Sequence, residues 1–83
     1  MTKQRLKCRV LNGMFSDERV IVFRRRSGEE YSAFVPASKV RGGLDSEGDV
    51  AVDVYQDNGV TWVILPTEYS DNLPVNSEDV VSA

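Results

Sequence analysis

Apolar and polar residues alternate along several short runs of the chain, and turn-forming residues separate these runs. Residues 6–10 alternate strictly, while residues 19–26, 29–35, 50–56 and 60–65 are rich in valine, isoleucine and aromatic residues. A period of two is typical of β-strands, whose side chains point alternately to opposite faces of a sheet. No run has the period of an amphipathic helix. The pattern therefore predicts five strands.

Glycine and proline mark where these strands reverse or end. Asn58-Gly59 is a strong hairpin signal, and we expect it to form a type I′ turn that places Tyr55 opposite Trp62. Pro36 is expected to end the third strand, because proline has no N–H to donate to a neighbouring strand.

The run of three arginines precedes a second turn signal, Ser27-Gly28. A two-residue turn at this position predicts the pairs Arg26 with Glu29, Arg25 with Glu30, Arg24 with Tyr31 and Ile21 with Phe34. Directly opposed side chains share one face of a sheet and interact. We therefore expect the hairpin to neutralise its own arginines, with the guanidinium of Arg24 over the Tyr31 ring as a cation–π contact.

The strand count and strand lengths predict one all-β domain over residues 1–83. The expected fold class is a small, partly open barrel of five or six strands, with a Src-homology-3-like or an oligonucleotide-binding-like topology. The ordered core is expected over residues 4–66, and residues 67–83 are expected to form an irregular, partly packed tail. Residues 41–49 contain three glycines and are expected to form a flexible loop.

Charge is distributed unevenly between the two halves of the sequence. All ten lysines and arginines lie in residues 1–41, together with four acidic residues. Residues 42–83 contain nine acidic residues and no cation, and the net charge of the whole chain is −3. Such asymmetry indicates interaction with a charged partner.

Four of the cations recur at every second position near the N-terminus and would project from one side of a strand. We call them the basic ribbon: Lys3, Arg5, Lys7 and Arg9. One interpretation is a stripe that binds phosphates or an acidic protein surface. The other is that a strand from the acidic half lies alongside, so that Asp49, Asp53 and Asp57 supply the counter-charges.

Tyr55 and Trp62 form the second candidate binding surface. Tyrosine and tryptophan are frequent in binding patches because each combines a large apolar body with a polar group. The competing interpretation is core packing, with Leu73 and Val75 from the tail covering the two rings.

The catalytic inventory is small. The chain has no histidine, and its glycines do not form a phosphate-binding or dinucleotide-binding motif. Cys8 alternates with apolar residues and is expected to be a buried thiol rather than a nucleophile. We predict a protein that is not an enzyme and that holds no cofactor and no metal ion. One cysteine, no long apolar run and no signal peptide favour a cytoplasmic protein without a membrane span.

These observations lead to two functional hypotheses. The first is a small binding module or accessory subunit that contacts a protein partner, either as a monomer or with weak self-association. The alternative is a nucleic-acid-binding module that uses the basic ribbon of residues 3–9 and an exposed aromatic side chain. The net negative charge disfavours the alternative, because general nucleic-acid binders are usually basic.

Overall fold

Strands account for most of the computed structural model, which describes residues 2–82. The strands are β1 (Thr2–Asn12), β2 (Glu18–Arg24), β3 (Glu30–Pro36), β4 (Val40–Arg41), β5 (Ser46–Asp57), β6 (Val60–Ile64), β7 (Asn72–Val75) and β8 (Val80–Ser82). Two single turns of 3₁₀ helix, Ala37–Lys39 and Ser77–Asp79, precede β4 and β8.

Six of the strands follow one another in a single antiparallel sheet, in the order β3-β2-β1-β5-β6-β7. Two short strands extend it: β4 pairs with β5, and β8 pairs with β1. The sheet curls into an open half-barrel in which 63% of the residues are in strands. The predicted all-β, partly open barrel is therefore confirmed.

The two longest strands, β1 and β5, lie side by side at the centre of the sheet. They pair between residues 2–10 and residues 46–54. In β1 the predicted alternation is confirmed, because Leu6, Cys8 and Val10 are buried while Lys7 and Arg9 between them are exposed.

The core fills the inner, concave side of the curl and is mostly aliphatic. Its buried apolar residues are Leu6, Cys8, Val10, Ile21, Phe23, Val35, Val50, Val52, Val54, Val63, Leu65, Leu73 and Val75. Burial of one such side chain contributes about 1.5–3 kcal/mol. This layer, drawn from all six strands of the sheet order and from the residue after β6, holds the curl together.

The turn between β5 and β6 forms as predicted. Asn58 and Gly59 have positive φ angles of 51° and 76°, as a type I′ turn requires. Tyr55 lies opposite Trp62 in the resulting register.

The turn between β2 and β3 differs from the prediction. The Arg25 N–H donates to the Glu29 carbonyl at 2.8 Å, and the Gly28 N–H donates to the Arg25 carbonyl at 2.8 Å. The loop therefore contains residues 26–28, and Gly28 occupies the left-handed position with a φ of 94°. A three-residue loop of this kind is a common hairpin connection.

The additional loop residue shifts the pairing of β2 and β3 by one position. The observed pairs include Arg24 with Glu30, Phe23 with Tyr31, and Val20 with Phe34. The predicted pairs of Arg26 with Glu29, Arg25 with Glu30, Arg24 with Tyr31 and Ile21 with Phe34 are wrong. Because side chains alternate with a period of two, a shift of one residue exchanges inward and outward partners. Phe34 consequently lies on the outer face and is 57% exposed.

Two segments are more regular than predicted. Residues 46–49, assigned to a flexible loop, begin strand β5 and pair with β1. The expected irregular tail, residues 67–83, contains β7 and β8 within its described part. Leu73 and Val75 of β7 belong to the core, so the packed region extends beyond residue 66. A strand this short has too few residues to show an alternating pattern in the sequence.

The curl brings the two edge strands together near the β2–β3 turn. The Arg26 N–H donates to the Pro74 carbonyl of β7 at 2.9 Å. The Tyr31 hydroxyl donates to the Asp71 carboxylate at 3.2 Å. Away from this turn, β3 lies across an open groove from the residues that follow β6, which is why the barrel is only partly closed.

Candidate binding surfaces

The predicted aromatic pair lies on the outer face of the sheet. Tyr55 in β5, Trp62 in β6 and Pro74 in β7 are directly opposite one another across three strands, and we call them the aromatic ladder. The Tyr55 and Trp62 rings stack, with 6.2 Å between their centroids and 9° between their planes. The Tyr55 hydroxyl donates to the side-chain carbonyl of Asn72 at 3.0 Å. The stack is thus held in one orientation.

Trp62 is half-buried by its neighbours and is not part of the core. Leu73 and Val75 do not cover it, because both point to the concave side. Pro74 between them points outward and lies opposite Trp62. The three side chains of the ladder therefore lie on the convex side, where each is partly exposed.

The basic ribbon runs along β1, but its first two members are paired. Lys3 Nζ lies 3.0 Å from the Asp53 carboxylate. Arg5 Nε donates to Oδ1 of Asp49. Both acids belong to β5, the neighbour of β1, as the second interpretation of the ribbon proposed. Asp57, the third acid named there, pairs with no ribbon cation in the described residues.

Asp49 is the centre of this ion network. It accepts hydrogen bonds from Arg5 and, at 3.0 Å, from Nε of Arg41. Its side chain is only 23% exposed, and burial opposes its ionisation. The bonds from Arg41 and Arg5 outweigh burial and hold the pKa of the Asp49 carboxyl below its usual value. These three residues act as a structural clamp between β1, β4 and β5.

Lys7 and Arg9, the other half of the ribbon, are exposed and make no salt bridge within residues 2–82. They line an open cleft of about 540 Å³, which is also lined by residues of β2 and by Asp79 of the 3₁₀ turn that precedes β8. The other charged residues of this cleft are Arg24, Glu30, Glu47 and Asp79. Three acids and three cations therefore line this cleft together, and the four ribbon residues do not form one uninterrupted basic stripe.

The arginine run contacts its own hairpin, as predicted, through different partners. Arg25 Nη2 lies 3.0 Å from the Glu29 carboxylate, and the Arg25 guanidinium lies 5.7 Å from the Tyr31 ring centroid. Arg24 donates to the Gly28 carbonyl at 2.7 Å. The cation–π contact thus belongs to Arg25, because the register differs by one residue from the predicted one.

Cys8 has the environment of an unreactive thiol. Burial raises its pKa to about 12, and the negative charges of Asp49 and Glu47 add to this effect. A thiol protonated at neutral pH is a poor nucleophile. Within residues 2–82 no group of three or more histidine, cysteine, aspartate or glutamate side chains is arranged to hold a metal ion, and no helix is long and apolar enough to cross a membrane.

One surface was missed by the sequence analysis: the outer edge of β3. Phe34, Val35 and Pro36 form one side of a groove of about 420 Å³, and Pro66, Thr67 and Glu68 form the other. The two-residue turn predicted at Ser27-Gly28 placed Phe34 opposite Ile21, which is a core residue. The alternation of Tyr31, Ala33 and Val35 with more polar positions was the signal that Phe34 points outward.

The chain was also compared with known proteins. No family model matches it, and searches of curated proteins and of solved structures returned no match.

Proposed function

We propose that this protein is a non-catalytic module that binds a protein partner through the aromatic ladder of Tyr55, Trp62 and Pro74. The observation that carries the proposal is the stacked pair of rings on the convex face, outside the core. Preorganised aromatic side chains lose little conformational entropy when they bind, which makes them effective anchors in protein interfaces. The protein would act as a monomer or with weak self-association.

The charges of β1 support a protein partner over a nucleic acid. Lys3 and Arg5 already have carboxylate partners in Asp53 and Asp49. A phosphate backbone approaching this strand would meet those acids, and it would have to displace them to gain the two cations. Affinity for nucleic acids rises with the number of phosphates neutralised. The remaining cations, Lys7 and Arg9, provide little of that energy among the acids of their cleft.

The proposed compartment is the cytoplasm. Cys8 is the one cysteine of the sequence, and its thiol is buried. Small secreted domains usually depend on several disulfides, whereas reduced, buried thiols are typical of proteins in a reducing compartment.

The test of the proposal is affinity capture from a nuclease-treated native extract. The wild type is compared with the double variant Tyr55→Thr/Trp62→Thr, in which threonine keeps the strand preference while both rings are removed. Tyr69→Ser is the matched control, because Tyr69 is an exposed aromatic residue outside the ladder. We expect a protein partner that the double variant loses and the control retains. Equal capture by all three proteins would contradict the role of the ladder.

The nucleic-acid alternative is tested separately by titrating a labelled single-stranded oligonucleotide at low and high salt. We expect no saturable binding. Binding that weakens steeply with salt and disappears in Lys7→Ser/Arg9→Ser would contradict the proposal and establish the alternative.

A further inference from the structure

The outer edge of β3 carries backbone groups without a partner strand. β3 ends the sheet order, so among residues 2–82 it pairs with β2 alone. The hydrogen bond from the Arg25 N–H to the Glu29 carbonyl fixes which residues face β2, because bonded pairs alternate along antiparallel strands. Ser32 and Phe34 therefore direct their N–H and C=O groups away from the sheet.

The opposite edge of the sheet is protected at Pro74, whereas β3 has a proline only at its last residue, Pro36. β7 is four residues long, and its edge position Pro74 has no N–H while its carbonyl accepts from Arg26. Short strands, proline and capped carbonyls are common means of preventing strand addition. Over Ser32–Ala33–Phe34, β3 has none of these features.

A groove follows the edge of β3 at its Pro36 end. Its walls are Phe34 to Pro36 on one side and Pro66 to Glu68 on the other, and its volume is about 420 Å³. Strands pair at a spacing of about 4.8 Å, so an additional strand requires an open channel of this kind beside the edge. Nearer the turn, the contacts of Tyr31 with Asp71 and of Arg26 with Pro74 close the barrel.

The groove has a negative charge. Asp17, Glu18 and Glu68 line it, and no lysine or arginine does. None of the three acids is in a salt bridge with another described residue. Arg19 lies nearby; its guanidinium donates to the carbonyls of Ser16 and Glu18 and makes no salt bridge with any of these three acids.

We propose that the edge of β3 binds an extended, basic segment of a partner protein as an additional β-strand. The backbone groups of Ser32 and Phe34 would pair with the segment, and an apolar side chain of the segment would pack against the exposed ring of Phe34. Lysine or arginine side chains would lie near Asp17, Glu18 and Glu68. Such strand addition combines backbone affinity with side-chain selectivity. This surface is separate from the aromatic ladder and does not depend on it.

The experiment uses a fluorescein-labelled peptide, KVTVKVTVK, and its acidic counterpart, EVTVEVTVE, in anisotropy titrations at low salt. The decisive variant is Ser32→Pro, which removes one outward N–H and leaves the bonds between β2 and β3 intact. Ser32→Ala is the matched control, since it removes only the hydroxyl. We expect Ser32→Pro to weaken binding of the basic peptide about tenfold or more, and Ser32→Ala by less than about twofold.

Two further measurements do not use the proline variant, so they test the proposal even if Ser32→Pro fails to fold. Amide hydrogen exchange should slow at Ser32 and Phe34 of the wild type when KVTVKVTVK is added. Asp17→Asn/Glu68→Gln should weaken binding and reduce its salt dependence, because it removes two charges from the groove. The ladder variant Tyr55→Thr/Trp62→Thr should bind the peptide as the wild type does, so the two proposals fail separately.

Four results would overturn the inference. They are no binding of the basic peptide, equal binding of the acidic peptide, no added protection at Ser32 and Phe34, and a wild-type dimer in sedimentation that Ser32→Pro dissociates. The last result would mean that the edge pairs with a second copy of this chain.

Discussion

The two hairpins of the sheet, β2–β3 and β5–β6, are built from similar residues in different surroundings. Trp62 and Phe34 both point outward from the second strand of their hairpin. Trp62 has Tyr55 on one side and Pro74 on the other and is half-buried. Phe34 has Val20 on one side and no strand on the other, and it is 57% exposed. A missing neighbouring strand therefore determines which aromatic ring is fully available to a partner.

The ion pairs also differ in exposure between the centre and the edge of the sheet. Arg5 and Asp49, in the two central strands, have side chains that are 14% and 23% exposed. Arg25 and Glu29, at the tip of the edge hairpin, have side chains that are 31% and 71% exposed. Solvent screens the second pair far more than the first. We expect the central part of the sheet to provide stability and the edge hairpin to remain adaptable.

The largest expected effect is on the free energy of unfolding when a buried valine is shortened to alanine, and it should differ between the centre and the edge of the sheet. Val63→Ala in β6 should lower the free energy of unfolding by about 2 kcal/mol, because neighbours on both sides prevent the site from collapsing. Val35→Ala in β3 should cost about 1 kcal/mol, because Val35 borders the open groove and the edge strand can adjust. Urea denaturation with constant m-values measures both. Equal losses would show that the edge strand is as constrained as the centre.

The second prediction concerns the ion pairs and pH. Asp49→Asn should lower the free energy of unfolding at neutral pH by about 1–2 kcal/mol, because it weakens the bonds to Arg5 and Arg41. Glu29→Gln, its control at the exposed pair, should change the free energy by less than about 0.5 kcal/mol.

The pKa of Asp49 sets the pH dependence. Because it is lower in the folded than in the unfolded chain, this carboxylate contributes fully above the unfolded value, and the contribution is lost as pH falls through the folded value. Denaturation midpoints between about pH 7 and pH 2 should therefore fall less steeply for Asp49→Asn than for the wild type. Parallel curves would show that Asp49 is not a stabilising carboxylate.

The contrast between the hairpins also explains what the sequence could predict. Asn58-Gly59 suits one turn type, so the register of β5–β6 and the opposition of Tyr55 and Trp62 followed from it. Ser27-Gly28 is compatible with two loop lengths, and the choice of the shorter one placed Phe34 opposite Ile21 instead of Val20. Local residue preferences do not distinguish the two loops. In the three-residue loop the Arg26 N–H bonds to the Pro74 carbonyl, and because these residues are distant in sequence, a local pattern does not reveal this bond.

The candidate surfaces also depend on pairing between strands that are distant in sequence, which the sequence pattern does not reveal. Alternation in β1 predicted that the basic ribbon points to one side of the strand, and Asp49, Asp53 and Asp57 were named as its possible counter-charges. Only the pairing of β1 with β5 shows that Lys3 and Arg5 are neutralised while Lys7 and Arg9 are not. The groove beside β3 depends on the path of residues 66–68, for which the sequence has no periodic signal.

The smallest expected effect tests the two turns. Gly28 and Gly59 both have positive φ angles, and a Cβ at either position would have no atom within 4 Å. Alanine at each should therefore cost about 1 kcal/mol from backbone strain alone, with no steric clash. Gly43→Ala is the control, because φ at Gly43 is not positive and its Cβ would make only an ordinary contact.

The stability of the three alanine variants is measured by thermal unfolding, and amide hydrogen exchange shows which residues each substitution affects. Gly28→Ala should accelerate exchange at Arg25, whose N–H bonds across the base of its loop, without affecting residues 54–63. Gly59→Ala should have the converse pattern. A neutral Gly28→Ala would mean that Gly28 is not left-handed and that the three-residue loop is wrong. In that case the register of β3 and the outward direction of Ser32 and Phe34 would be wrong as well, and the proposed strand-addition site would no longer be supported.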